Sequence, residues 1–365
     1  VSEANVTWTR STSYDHEAGV VECEGNVVAS NRPDAFSLQT LRADKAKLIL
    51  EPLTEAQASL DGQAGAPADG QSGEQPAEQT ASTDGTQQTA NEGQAQPVVQ
   101  PLPVAEPSDG QIPSRRILQA MAWGVKGEAP RPAQLEMREY SSAFAVGRER
   151  PTRVGFLEGE YIFRDEAAGT LNVPGPGRLF MSDRSRKREP AAKQAQEPAP
   201  RVDPNRGGNP FGDFDRGDAR FVWQDGMDVD MRLGTVTLRG KSNLRHVRLS
   251  DGLPTDIESD TLIGRFRNMR VSEADRTGKE FQAEFLGSEA IGNVWIRSTD
   301  NKELIADRVE YDAESGVAKA MANEGNTVVF FDPSQGVPQR ARVLFWDQTN
   351  NRVEIRDAGT IVLPR

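Results

Sequence analysis

An Asp followed four residues later by Gly or Asn, with apolar residues two and four positions beyond, recurs five times in this chain. The turn pairs are Asp15/Gly19, Asp165/Gly169, Asp230/Gly234, Asp312/Gly316 and Asp347/Asn351. Asp accepts hydrogen bonds from backbone N–H groups inside a turn, and Gly or Asn tolerates positive φ at the residue that closes it. The first apolar positions are Val21, Leu171, Val236, Ala318 and Val353. The second are Cys23, Val173, Leu238, Ala320 and Ile355. Spacing by two puts both on one face of a strand. The residues between them, Glu22, Asn172, Thr237, Lys319 and Glu354, are polar. Each copy therefore reads as a hairpin with one apolar and one wetted face. This constrains the chain to an all-β fold.

Two further elements accompany the hairpin. Leu41-Arg-Ala-Asp-Lys-Ala matches Leu304-Ile-Ala-Asp-Arg-Val and, more loosely, Ile257-Glu-Ser-Asp-Thr-Leu. A small residue beside Asp within a strand predicts a bulge or a sheet corner. Glu24-Gly-Asn-Val-Val, Arg239-Gly-Lys-Ser and Glu324-Gly-Asn-Thr-Val-Val each place Gly inside a strand-like run, which marks a bend. The copies are irregularly spaced, so a strict solenoid is excluded. Helical periodicity is scarce. The best stretch, Gln134–Ala143, also suits a strand.

The pattern divides the 365 residues into structured segments and spacers. Residues 1–53 and 111–181 are expected to form one unit, a jellyroll or open sandwich, split by a spacer over 54–110. A second spacer over 182–218 leads to a second such unit over 219–365. The first spacer has nine acidic residues, no Lys or Arg, and almost no large apolar side chain before Val98. Such a stretch cannot offset the entropy of ordering its backbone. It also holds most of the net charge of −12, because the rest of the chain has 46 acidic against 43 basic residues, or −3. That balance excludes a basic nucleic-acid surface.

Few residues offer chemistry. The two histidines, His16 and His246, have no second His or Cys at metal-ligand spacing. No Gly-x-Ser-x-Gly elbow is present, and Val173-Pro-Gly-Pro-Gly-Arg lacks the Lys-Ser/Thr of a phosphate loop. No enzyme activity, metal or cofactor is expected. The lone Cys23 permits no intrachain disulfide. No apolar run reaches transmembrane length. Val1 opens directly into strand-like sequence, as in a mature form or fragment whose targeting segment has been removed.

The phrases Leu304-Ile-Ala-Asp-Arg-Val-Glu-Tyr-Asp through Gly316, then Glu324-Gly-Asn-Thr-Val-Val, and Tyr14-Asp through Gly25-Asn-Val-Val, then Leu41-Arg-Ala-Asp-Lys-Ala, resemble the OstA/LptA-type lipopolysaccharide-transport family. The resemblance implies a twisted jellyroll of two antiparallel sheets in the periplasm or cell envelope. It implies lipopolysaccharide or a related glycolipid as ligand, with acyl chains between the sheets. It also implies edge-to-edge joining with other jellyroll transport proteins or with itself, with Asn350–Leu363 as one such edge. The lining expected on this basis is Val21, Cys23, Val27, Leu171, Val173, Val236, Leu238, Ala318, Ala320, Val353 and Ile355, with Phe285, Trp295 and Phe330 capping the layers. Two alternatives stay open: a structural or adhesive envelope scaffold with a closed core, and a carbohydrate-active β-sandwich enzyme.

Overall fold

The computed structural model describes residues 4–15, 18–32, 36–51, 117–125, 131–141, 145–146, 148–184, 216–249, 251–267, 284–347 and 352–356. His16, Asn351, residues 54–110 and most of 182–218 lie outside them. The described residues are all-β: they form twenty-one strands and no α-helix. The Gln134–Ala143 stretch resolves in favour of a strand, β6 (Ala133–Glu139).

The short alternating runs form short strands, and the phrases containing Gly or Asp form long ones. The long strands are β3 (Val20–Asn31), β4 (Ser37–Leu50), β13 (Thr235–Arg248), β14 (Pro254–Arg267), β15 (Glu284–Arg297) and β16 (Glu303–Asp312). Each long strand is bent, so its two ends pair in two different arms. In the first arm β3 pairs β1 (Ala4–Thr7), and β4 pairs β6. In the second arm β3 pairs β2 (Ser11–Asp15), and β4 pairs β5 (Ile117–Trp123).

From β4 the chain weaves between the arms. On the first arm lie β6, β7 (Arg153–Gly159), β10 (Gly177–Asp183) and β11 (Gly217–Trp223). On the second lie β5, β8 (Tyr161–Asp165), β9 (Thr170–Pro174) and β12 (Gly226–Asp230). Both arms rejoin at β13, which pairs β11 at one end and β12 at the other. The strands β4, β5, β8, β9, β12, β13, β11, β10, β7 and β6 thus close a ring of ten. Antiparallel pairing then continues through β14, β15 and β16. Beyond β16 the first arm carries β18 (Val328–Phe331) and β19 (Gln339–Ala341). The second carries β17 (Val317–Met321), β20 (Val343–Asp347) and β21 (Arg352–Arg356). The expected break between two jellyroll units is bridged: β9 pairs β12 and β10 pairs β11, so the ladders run from one expected unit into the other. The reason is the bend in β4 and β13, which lets two strands each serve both arms and closes the ladder between them.

The bends join the second and third sequence elements. Gly25-Asn26 in β3, Gly240-Lys241 in β13 and Gly292-Asn293 in β15 all have positive φ at both residues. Each pair interrupts the register with the neighbouring strand. At Gly240 and Gly292 glycine is required because the backbone meets carboxylate: a Cβ on Gly292 would lie 2.3 Å from Asp260 Oδ2, and one on Gly240 would lie 2.4 Å from Asp225 Cγ. The Asp of the second element stands across the bend. Asn293 donates to Asp260 Oδ2 at 2.8 Å, and the Asn323 backbone donates to Asp307 Oδ2 at 2.7 Å.

The repeated turns close in a common way. Asp15, Asp165, Asp230 and Asp312 each accept, through Oδ1, the backbone N–H of the residue three positions on, at 2.7–2.9 Å. Gly19, Gly169, Gly234 and Gly316 close them with φ of 66° to 69°.

Candidate functional site

The inward faces of the two arms carry the apolar interior, a large cluster with a small separate one at Cys23, Val27 and Ala46. Register defines it. On the second arm, Cys23, Ala46, Ala122 and Ile162 follow one another across β3, β4, β5 and β8, and the file continues through Val173, Met227 and Leu238. All are buried. The arms meet here, since a Cβ on Gly159 of the first arm would lie 2.2 Å from Val173 Cγ1 of the second.

A second file on each arm lies farther from the bends and changes character along the molecule. On the second arm Val21, Leu48, Ala120, Leu171 and Val236 are half-buried, with Val229 buried among them. Farther along the same file, Tyr311, Ala318 and Trp346 are buried. On the first arm Ala29, Leu41, Leu135, Leu179 and Phe221 are half-buried, with Leu157 buried among them. The file then runs through Leu244, Ile257, Ile296, Leu304 and Phe330, where exposure falls to 0–3%. On the first arm the interior is therefore sealed from β13 to β18. Between β3 and β11 that arm presents an apolar lane with solvent access.

The positions expected to line a slot divide mainly by file and not along this boundary. Cys23, Val27, Val173, Leu238, Ala318 and Ala320 are buried by protein alone. Val21, Leu171, Val236, Val353 and Ile355 are half-buried. Among the expected capping rings, Phe330 is in the sealed core, edge-on to Trp346 with centroids 5.4 Å apart. Phe285 is half-buried and stacks on Tyr311. Trp295 sits between the buried Val294 and Ile296, hence on the opposite face, with Arg297 over its ring.

Sequence reasoning missed two features. The first is Arg164. Strand β8 alternates Ile162 inward and Phe163 outward, so Arg164 projects into the lane-side file between Ala120 and Leu171. It is the sole charged side chain in that file among the described residues. The signal was legible as a basic residue at the position where period two demands an apolar one. The second is a hollow of about 430 Å³ on the outer face of the second arm, walled by Met121, Tyr161 and Phe163 and by Asn172, Asp228 and Arg239. It arises because the outward row narrows to Pro174 and Gly226 between larger neighbours.

One buried ion pair elsewhere in the interior is engaged in structure. Lys302 is buried and pairs with Asp300 at 2.7 Å, and the Lys302 backbone donates to Ser298 Oγ at 3.2 Å. Burial works against the Asp300 carboxylate, but Lys302 and Ser298 together hold its pKa below the usual value. No group of His, Cys, Asp and Glu among the described residues is arranged to hold a metal ion.

No protein-family model matches the sequence, and no curated protein does. Among solved structures, the chain is similar to LptH from Pseudomonas aeruginosa, described as the LptA-homologous periplasmic component of the conserved lipopolysaccharide transport device. The identity is 10%, the TM-score is 0.28, and the match covers 40% of this chain and 89% of that one.

Proposed function

We propose that this chain is a binding scaffold of the cell envelope that holds the acyl chains of lipopolysaccharide or a related glycolipid between its two arms. It performs no chemistry on them. The arms act as the two sheets of a jellyroll that splays open between β3 and β12. The observation that supports this reading is the change in exposure along the inward files, half-open at Leu41, Leu135, Leu171 and Leu179 and shut at Ile296 and Leu304. A packed core has no reason to leave one end of a continuous apolar file wet. An acyl chain does not need directional contacts. Its burial is worth about 0.8 kcal/mol per CH₂, so a ~14-carbon chain gains about 11 kcal/mol before the costs of binding.

Partners join through strand edges. Among the described residues β1 and β2 pair only with β3, β19 only with β18, and β21 only with β20. Such edges offer backbone donors and acceptors that another β-scaffold can extend.

Photo-crosslinking in cells tests the reading. A photoreactive residue at Leu171 or Leu179 should form a glycolipid adduct, and one at Ala318 or Leu344 should not. Absence of any adduct at the lane positions defeats the proposal. The sealed half favours a second reading, a closed structural scaffold, and that reading expects no adduct at any of the four sites.

A further inference from the structure

A charged side chain at an inward position of an apolar sheet is costly unless it has a partner. Arg164 occupies such a position. Its strand neighbours in the file are Ala120 and Leu171, and the next inward residue of its own strand is the buried Ile162. One guanidinium nitrogen reaches Glu166 Oε1 at 2.6 Å, just beyond the end of β8. The Nε atom is buried and has no hydrogen-bond partner among the described residues. About a third of the side chain is exposed (31%), so the group meets both the apolar wall and the solvent. It lies one residue from the turn that Asp165 and Gly169 close, at the rim of the lane.

From this placement we infer that Arg164 is the headgroup anchor of the lane: it binds the anionic phosphate of a lipid whose acyl chains lie along Leu171 and Leu179. The inference rests on the lipid-binding reading above and deepens it by assigning specificity. A planar guanidinium presents its donors as a fork that fits phosphate oxygens in pairs. Glu166 holds the fork in place while no ligand is bound, and the buried Nε supplies a donor that the ion pair does not use. An apolar lane alone would take any acyl chain. A single fixed cation at its rim selects anionic lipids and sets how far the chain enters.

The test uses the full chain and two short-chain lipids, diheptanoyl phosphatidylglycerol and diheptanoyl phosphatidylcholine, each kept monomeric, with binding measured by calorimetry. A charge-assisted hydrogen-bond pair corresponds to about tenfold or more in affinity. Phosphatidylcholine sets a fixed cation beside the same phosphodiester, which opposes Arg164, so the wild type should prefer the anionic lipid by up to about that factor. Arg164→Gln should lose the preference and bind both lipids more weakly than the wild type, since both carry the phosphodiester, and Arg164→Lys should recover part of the preference. Millimolar inorganic phosphate should not displace the anionic lipid. Displacement would identify a free-phosphate site instead and overturn the assignment. Equal binding of the two lipids by the wild type, or a preference that survives in Arg164→Gln, also overturns it. Leu179→Asp separates the two claims. Loss of both lipids in that variant, with no headgroup preference in the wild type, sustains the lane and rejects the anchor. Failure of the wild type to bind either lipid rejects both.

Discussion

The side-chain amide of Asn293 donates to Asp260 across the bulge between β15 and β14. The two residues belong to phrases that look unrelated in sequence, a Gly-Asn pair inside one strand and a small-residue-Asp pair inside another. Their contact is the corner at which a long strand leaves one arm for the other. The same pairing recurs between Asn326 and Asp307, where both carboxylate oxygens accept at 3.0 Å.

The corner depends on Gly292, which has φ of +77° and no room for a Cβ beside Asp260. Gly292→Ala should cost about 3 kcal/mol, combining left-handed strain with displacement of the carboxylate. Gly325→Ala is the control. Gly325 has φ of +87° but nothing within 4 Å of its missing Cβ, so the cost should be the strain alone, about 1 kcal/mol. Urea denaturation midpoints of the two variants measure the difference.

Much of this was legible in the sequence, for identifiable reasons. Turn chemistry is local: Asp165 and Gly169 mark their hairpin because the carboxylate bonds an N–H three residues away. Period two is local as well, and it correctly put Leu171 and Val173 on one face. The ring was not legible. It depends on which partner each half of β4 and β13 takes, and for β4 those contacts span 67 residues (Leu50 to Ile117) to 102 residues (Ser37 to Glu139). The division of the lining was not legible either. Ala318 and Val236 obey the same spacing rule, yet one is buried and the other half-open, because burial depends on the facing arm and not on the strand itself.

The turn carboxylates should make stability fall in acid. The Ser315 hydroxyl and backbone N–H, each donating at 2.7 Å, hold Asp312 below the usual carboxylate range. The Ala168 N–H and the Gln119 amide do the same for Asp165. A folded-state value lowered below the unfolded one gives stability that is fully present above the ordinary Asp value of about 3.9. It is lost as pH falls through the lower folded value. The double variant Asp165→Ala/Asp312→Ala should be less stable at neutral pH and should lose less on acidification. Urea midpoints at about pH 7, 4 and 2.5 bracket that window.

The two ends of the interior should respond differently to truncation. Leu304 is 0% exposed, and its truncation to Ala should cost about 3 kcal/mol. Leu179 is half-buried in the lane, and the same change should cost about 1 kcal/mol. The second variant should nevertheless lose more lipid crosslinking than the first. Equal stability costs would mean that the lane is closed in solution.

Cys23 reports on the open end directly. It is 3% exposed and packs with Val27 and Ala46 in a small cluster separate from the large one that holds Trp223 and Trp346. Its Sγ lies 3.5 Å from Thr12 Oγ1 on the edge strand β2. A thiol so placed reacts with a disulfide reagent only when β2 or its neighbours open. A small cluster at a sheet end opens at lower free energy than the main core. Labelling of Cys23 should therefore rise at urea concentrations where tryptophan fluorescence still reports the folded state. Coincidence of the two transitions would show that the N-terminal strands share the stability of the sealed half.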